Sequence, residues 1–168
     1  MNHSSDNRTN VMLNTEELFQ SRASLLDRLI DDMPDRSREL RPLRTQSRKK
    51  LRDSLHRDLL WLLNTRTPLP GTLFDETDLT VIDYGIPDFG SYSTASSENQ
   101  YLLARRMERA ISAFEPRLSN VRVRTEPVPR NEKTVAVIIE AMLVVEDVRE
   151  PVSFRTIFQN DTGEWDIT

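Results

Sequence analysis

Few residues in this chain are placed to do chemistry. Glu115 and Arg117 flank Pro116 in the stretch Ala113-Phe114-Glu115-Pro116-Arg117-Leu118. Proline pushes the residue before it toward extended geometry, and in an extended segment residues two apart project to the same side. An acid and a base therefore share one side of this corner, with Phe114 and Leu118 free to pack. Two readings fit the residues equally. One is a helix stop with an incidental surface ion pair, worth little energetically. The other is a rigid docking point of both signs, whose backbone freedom proline has limited in advance.

Catalytic sets are not evident. Glu115 could join a second carboxylate in a glycosidase pair, but no other acid is singled out as its partner. His3 lies in the polar start and His56 in a basic stretch, and neither is placed to activate a serine. The four glycines, Gly71, Gly85, Gly90 and Gly163, build neither a P-loop nor a dinucleotide fingerprint. Cysteine is absent, which excludes disulfides, thiol nucleophiles and thiolate metal sites. No metal-ligand spacing occurs. The expectation is a protein that is not an enzyme and uses no cofactor, metal or small-molecule substrate.

Charge is more informative in its distribution than in its total. The net charge of -4 offers no bulk attraction to nucleic acid or anionic membrane. Between Arg36 and Arg57, however, lie Arg36, Arg38, Arg41, Arg44, Arg48, Lys49, Lys50, Arg52 and Arg57 against only Glu39 and Asp53. This block lacks the interleaved aromatics and motif spacing of a nucleic-acid binder. The segment after Glu126 is acidic, so the two regions suit either internal pairing or separate partner surfaces. The polar start has no signal-peptide core, and no run reaches the roughly twenty apolar residues needed to cross a bilayer. A soluble cytoplasmic protein without membrane insertion is expected.

Periodicity supplies the elements that would position these residues. Residues 1–45 read as a mobile arm with a short amphipathic helix near Ser24 to Asp32, followed by a basic linker from Pro34. Residues 46–168 read as one α+β domain. Ser47 would cap a helix to Asn64, with Leu51, Leu55, Leu59, Leu62 and Leu63 on one face and Trp61 near its edge. Arg48, Lys49 and Lys50 in its first turn carry the wrong sign for the helix dipole, which fits equally a solvated basic face and a misfit that an acidic partner would offset. Leu79 to Tyr84 reads as a short strand or extended segment, ending at the turn Gly85-Ile86-Pro87-Asp88. A helix from Ser97 to Phe114 follows. Its stripe is Leu102, Leu103, Met107, Ala110, Ile111 and Phe114, with Arg105, Arg106, Glu108 and Arg109 facing water. Strands are then expected at Val121–Thr125, Thr134–Val145, Val152–Phe158 and Glu164–Ile167, the last as an open edge. The architecture is two main helices packed on one face of a small, mostly antiparallel sheet of three to four strands.

Several segments together resemble a known family. Glu115-Pro116-Arg117-Leu118 closing a helix is similar to the signature of the TssE family, type VI secretion baseplate subunits related to a wedge protein of contractile-tailed phages. Ser24-Leu25-Leu26-Asp27-Arg28-Leu29, Leu62-Leu63-Asn64-Thr65-Arg66 and Asp83-Tyr84-Gly85-Ile86-Pro87-Asp88 agree in order and spacing, so the resemblance spans about residues 24–168. It implies a non-enzymatic cytoplasmic wedge subunit that associates with TssF and TssG and helps initiate polymerisation of the TssB and TssC sheath. It also implies protein docking at Glu115, Pro116, Arg117 and Leu118, and a mainly structural role for Tyr84, Gly85, Pro87 and Asp88. On this reading Glu115→Ala or Arg117→Ala would spare the fold and impair assembly. A small regulatory adaptor of the anti-adaptor kind, on the same fold, is the alternative. An open sheet edge would suit strand addition to a sheath.

Overall fold

Ser47 starts the first long helix as its residue type requires, its hydroxyl accepting from the Lys50 N–H at 3.4 Å. The computed structural model describes residues 21–22, 29, 45–90, 96–128, 134–146, 148–159 and 164–167. Two compact units divide the chain at Arg52/Asp53. In the first, strands β1 (Ser21–Arg22) and β2 (Thr45–Gln46) pair antiparallel. Two-residue strands have no periodicity to read, and Thr45, expected in the linker, belongs to one. The helix expected near Ser24 to Asp32 lies outside the described residues except for Leu29, which is helical and exposed.

Helix α1 (Arg48–Asn64) buries Leu51, Leu55, Leu59, Leu62 and Leu63 and leaves Trp61 about half exposed, as the apolar spacing dictates. Pro68 and Pro70 then break the chain, and a short helix α2 (Gly71–Glu76) follows with Phe74 fully buried. Six residues hold one buried side chain and no repeat, so this helix leaves no periodic trace. Beyond it, the strand expected over Leu79 to Tyr84 does not form. Val81–Asp83 is a 3-10 turn. The Asp83 carboxylate accepts from both the N–H and the hydroxyl of Thr80, at 2.9 and 2.8 Å. Such a local bond competes with a strand ladder for the same backbone. Val81 and Ile82 consequently point outward, 87% and 79% exposed.

Helix α3 (Ser97–Phe114) begins at Ser96, whose hydroxyl accepts from Asn99 N–H, and buries Leu103, Met107, Ala110 and Ile111. Arg106, expected to face water, is instead only 4% exposed. Its guanidinium grips Asp75 of α2 through three bonds of 2.9–3.2 Å and lies over the Phe89 ring. Helical spacing alone puts Arg106 beside Met107 and Leu103, but the acid that allows it inside is 31 positions away. A Cβ on Gly71 would sit 2.4 Å from that guanidinium, so the pair needs glycine there.

The sheet has four antiparallel strands in the order β3 (Leu118–Pro127), β4 (Thr134–Val145), β5 (Val148–Gln159) and β6 (Glu164–Ile167). Along β4, Val135, Val137, Ile139, Ala141 and Leu143 are buried while Glu140 on the opposite side is exposed, so one face meets the core. Helices followed by an antiparallel meander make the fold α+β. Residues 129–133, between β3 and β4, lie outside the described residues, and the two strands pair antiparallel.

Both outer strands meet side chains from helices. On β6, the Asn64 amide donates to the Trp165 carbonyl at 3.2 Å and accepts its N–H at 3.0 Å. Trp165 also stacks on its cross-strand neighbour Phe158, ring centres 4.6 Å apart. On β3, Glu108 accepts the Val123 N–H at 2.8 Å, and the register shifts between Ser119 and Arg122 where Asn120 takes φ 53°. A capped amide and a bulge are devices that discourage strand addition. The expected open edge at β6 is therefore partly closed: Asn64 occupies the Trp165 peptide. Asn64→Ala should cost about 1–2 kcal/mol by leaving these groups unpaired and should speed amide exchange at Trp165. Unchanged exchange would show that the clamp does not protect this edge.

Candidate functional site

The Glu-Pro-Arg corner is built by the stop of α3. Pro116 prevents the helix from continuing, and Glu115 leaves helical geometry at φ −119° and ψ 82°. Its N–H still bonds the Ile111 carbonyl at 2.9 Å, and its own carbonyl accepts from Leu118 N–H at 3.1 Å. The residues after it therefore form a tight turn rather than a straight extended segment. The Arg117 carbonyl accepts from Val144 N–H at 2.8 Å, which fastens the turn to β4.

Glu115 and Arg117 do share a side, and that side faces inward. The Glu115 side chain is 6% exposed and that of Arg117 20%. Arg117 Nε donates to one Glu115 carboxylate oxygen at 2.7 Å and Nη2 to the other. This is the bidentate geometry that a guanidinium fork favours. The same guanidinium reaches α1, donating to the Ser54 hydroxyl at 3.0 Å and to Asp58 at 2.6 Å. The second Asp58 oxygen accepts from Arg57 at 3.0 and 3.2 Å, and Arg57 lies over the Trp61 ring. Two carboxylates thus face two guanidiniums. A network in which each charge is paired can be carried inside, where a lone charge could not.

Electrostatics follow from this packing. Burial disfavours the Arg117 charge, but the Glu115 carboxylate, then Asp58, outweigh it and raise the Arg117 pKa above its ordinary value. Tyr84, whose ring meets Phe114 edge-on at 5.3 Å, is raised as well, first by burial and then by the charges of Asp58 and Glu115. Glu115 and Asp58 are bridged by one guanidinium nitrogen, which occupies the space a sugar would need between a glycosidase pair. The arrangement clamps elements together, with the Glu115 side chain 6% and the Asp58 side chain 21% exposed.

Of the four corner residues, Pro116 is the exposed one, while Leu118 is 5% exposed and belongs to the core. Alanine at Glu115 or Arg117 would accordingly disturb the interior, contrary to the expectation that either change spares the fold. Ser54 and Asp58 were not anticipated as partners. Their spacing of four along α1, beside the leucine stripe, is the signal that could have found them.

The second candidate motif meets the end of α1. Arg66 and Ile86 form a parallel bridge, with Ile86 N–H bonding the Thr65 carbonyl at 2.9 Å and Thr67 N–H the Ile86 carbonyl at 3.1 Å. Gly85 takes φ +120°, and a Cβ there would stand 2.5 Å from the Thr65 carbonyl oxygen. Pro87 is buried. Asp88 is exposed, bonds the Gly90 N–H at 3.0 Å and lies 3.7 Å from Arg66. The motif at 83–88 and the one at 62–66 are thus two halves of one contact.

In the basic patch, Lys49 and Lys50 are exposed and Arg48 half-buried. The first turn of α1 holds no acid. Among the described residues no group of three or more His, Asp or Glu is placed to hold a metal, and no helix is long and apolar enough to cross a membrane.

Comparison with known proteins bears on what this arrangement serves. No curated protein matches the sequence. One solved chain, from a structure described as the baseplate complex from the type VI secretion system, is similar at a TM-score of 0.47 and 17% identity, covering 64% of this chain and 93% of that one. A family model described as "Baseplate wedge protein gp25" matches residues 49–148. That span holds α3, all of α1 but Arg48, the Gly85 contact and the whole Glu-Pro-Arg corner, and it exceeds half of the 168 residues. The chain belongs to the baseplate wedge protein gp25 family.

Proposed function

We propose that this chain is a non-enzymatic structural subunit of a type VI secretion baseplate, working in the cytoplasm. In this reading it assembles with TssF and TssG and helps initiate polymerisation of the TssB and TssC sheath. Family membership carries the baseplate role. The Glu115–Arg117–Asp58–Ser54 network supports a docking role for the corner, because it holds exposed Pro116 on a backbone anchored to α1 and β4 at once. A surface ordered before binding loses less entropy when a partner arrives. Glu115 and Arg117 thus serve assembly by positioning the corner rather than by touching the partner.

Lys49 and Lys50, with Arg48 beside them, offer a second partner face to an acidic surface. The test is affinity purification of the tagged chain from cells that express the full baseplate and sheath set. TssF and TssG should be recovered with wild type and reduced when Arg48, Lys49 and Lys50 are changed to glutamate. Recovery of none of the baseplate proteins by wild type would overturn the proposal. Full recovery by the reversed variant would remove the basic patch from it.

A further inference from the structure

An open cleft of about 570 Å³ lies between α2, the outer side of α3 and the start of β3. Its polar walls carry three arginines: Arg105 and Arg109 from α3, and Arg122 from β3. The two acids beside them are already engaged. Asp75 is gripped by Arg106 at 2.9 Å, and Glu108 accepts the Val123 N–H at 2.8 Å. Arg105 and Arg122 are exposed; Glu140, the cross-strand neighbour of Arg122, pairs instead with Arg124 at 3.2 Å. Arg109 donates to the Thr77 carbonyl at 2.5 Å, yet its buried Nε meets no acceptor there. The cleft therefore holds guanidinium donors in excess of acceptors, in a chain whose net charge is -4. Leu79 and Val121 add apolar wall to the same cleft.

We infer that this cleft receives an acidic segment of a partner protein, with carboxylates on Arg105 and Arg122 and one apolar side chain against Leu79 and Val121. Charge complementarity selects the occupant: guanidinium forks match carboxylates in bidentate fashion. The apolar wall favours a peptide over a bare anion. The overall negative charge opposes a long polyanion such as nucleic acid. Glu108 already holds the Val123 N–H, so the segment docks by its side chains and does not extend the sheet. The inference rests on the baseplate reading and adds to it the chemistry of a partner.

Two measurements test it on the full chain. The first is fluorescence anisotropy with a labelled ten-residue acidic peptide carrying one leucine, beside a lysine counterpart, inorganic phosphate as competitor and a single-stranded oligonucleotide. The acidic peptide should bind, the lysine peptide should not, and R105E/R122E should weaken binding about tenfold or more. That variant should melt only slightly below wild type, the cost arising because the acid introduced at position 122 stands across the strands from Glu140. The second measurement is recovery of baseplate proteins by the same variant, which should fall. Equal peptide binding by wild type and variant would overturn the inference. Full displacement by millimolar phosphate, or tighter binding of the oligonucleotide, would also overturn it. If wild type recovers no baseplate protein, the functional reading fails, and peptide binding still decides the cleft.

Discussion

Arg117→Ala should be the most damaging single change at the corner, lowering stability by about 3–5 kcal/mol, the usual loss when one partner leaves a buried ion pair. The Glu115 carboxylate, 6% exposed, would lose both side-chain bonds from Arg117 and keep only the 3.2 Å backbone contact from the Arg117 N–H. Asp58 and Ser54 would lose their link to the corner as well. For a chain of this size the melting temperature should fall by about 10 °C. Glu115→Ala should cost less, because Asp58 still neutralises Arg117. The two effects should not add: the double variant should be less damaged than the separate losses imply, by about 1 kcal/mol or more. Arg117→Lys keeps the charge and loses the fork, so it should fall between. If Arg117→Ala melts within about 1 kcal/mol of wild type, the pair behaves as an ordinary surface bridge. Assembly assays on these variants need that melting curve beside them, since a partly unfolded subunit also fails to assemble.

Gly85→Ala should be comparably severe for a different reason. At φ +120° a side chain costs about 1–3 kcal/mol in backbone strain alone. The added Cβ would also meet the Thr65 carbonyl oxygen at 2.5 Å, and that oxygen already accepts the Ile86 N–H. Backbone cannot swing aside as a flexible side chain can, so the bridge between Arg66 and Ile86 should open. We expect a loss of at least about 3 kcal/mol once strain and the broken bonds combine. Slow amide exchange at Ile86 and Thr67 should vanish with it. Retained protection at both amides would mean that the turn has another way to close. Neither residue depends on the chemistry of a partner, so the prediction stands apart from the functional proposal.

The two predictions show where local pattern stops. The leucine stripe of α1, the cap at Ser47, the Pro116 stop and the alternation of β4 are properties of neighbouring residues, and each was legible in the chain. Glycine at 85 was legible as a turn, but its need for a positive φ beside Thr65 comes from a segment 20 positions earlier. The run at Leu79 to Tyr84 misled, because β-branched residues suggest a strand while Asp83 holds Thr80 in a turn. Arg106 misled in the opposite sense: a charged residue can enter the core when an acid waits there.

By itself the sequence determined the fold class, the ends of both long helices, and a fixed corner carrying an acid and a base. Capping, periodicity and proline sterics act over a few residues and need no knowledge of the rest. Only the tertiary structure decided which way the corner faces. Ser54 and Asp58 stand 63 and 59 positions from Arg117, and the burial that makes their bonds valuable exists only once α1 and the sheet have closed around them. A charge pair is weak or strong according to its surroundings, and surroundings are a property of the packed molecule.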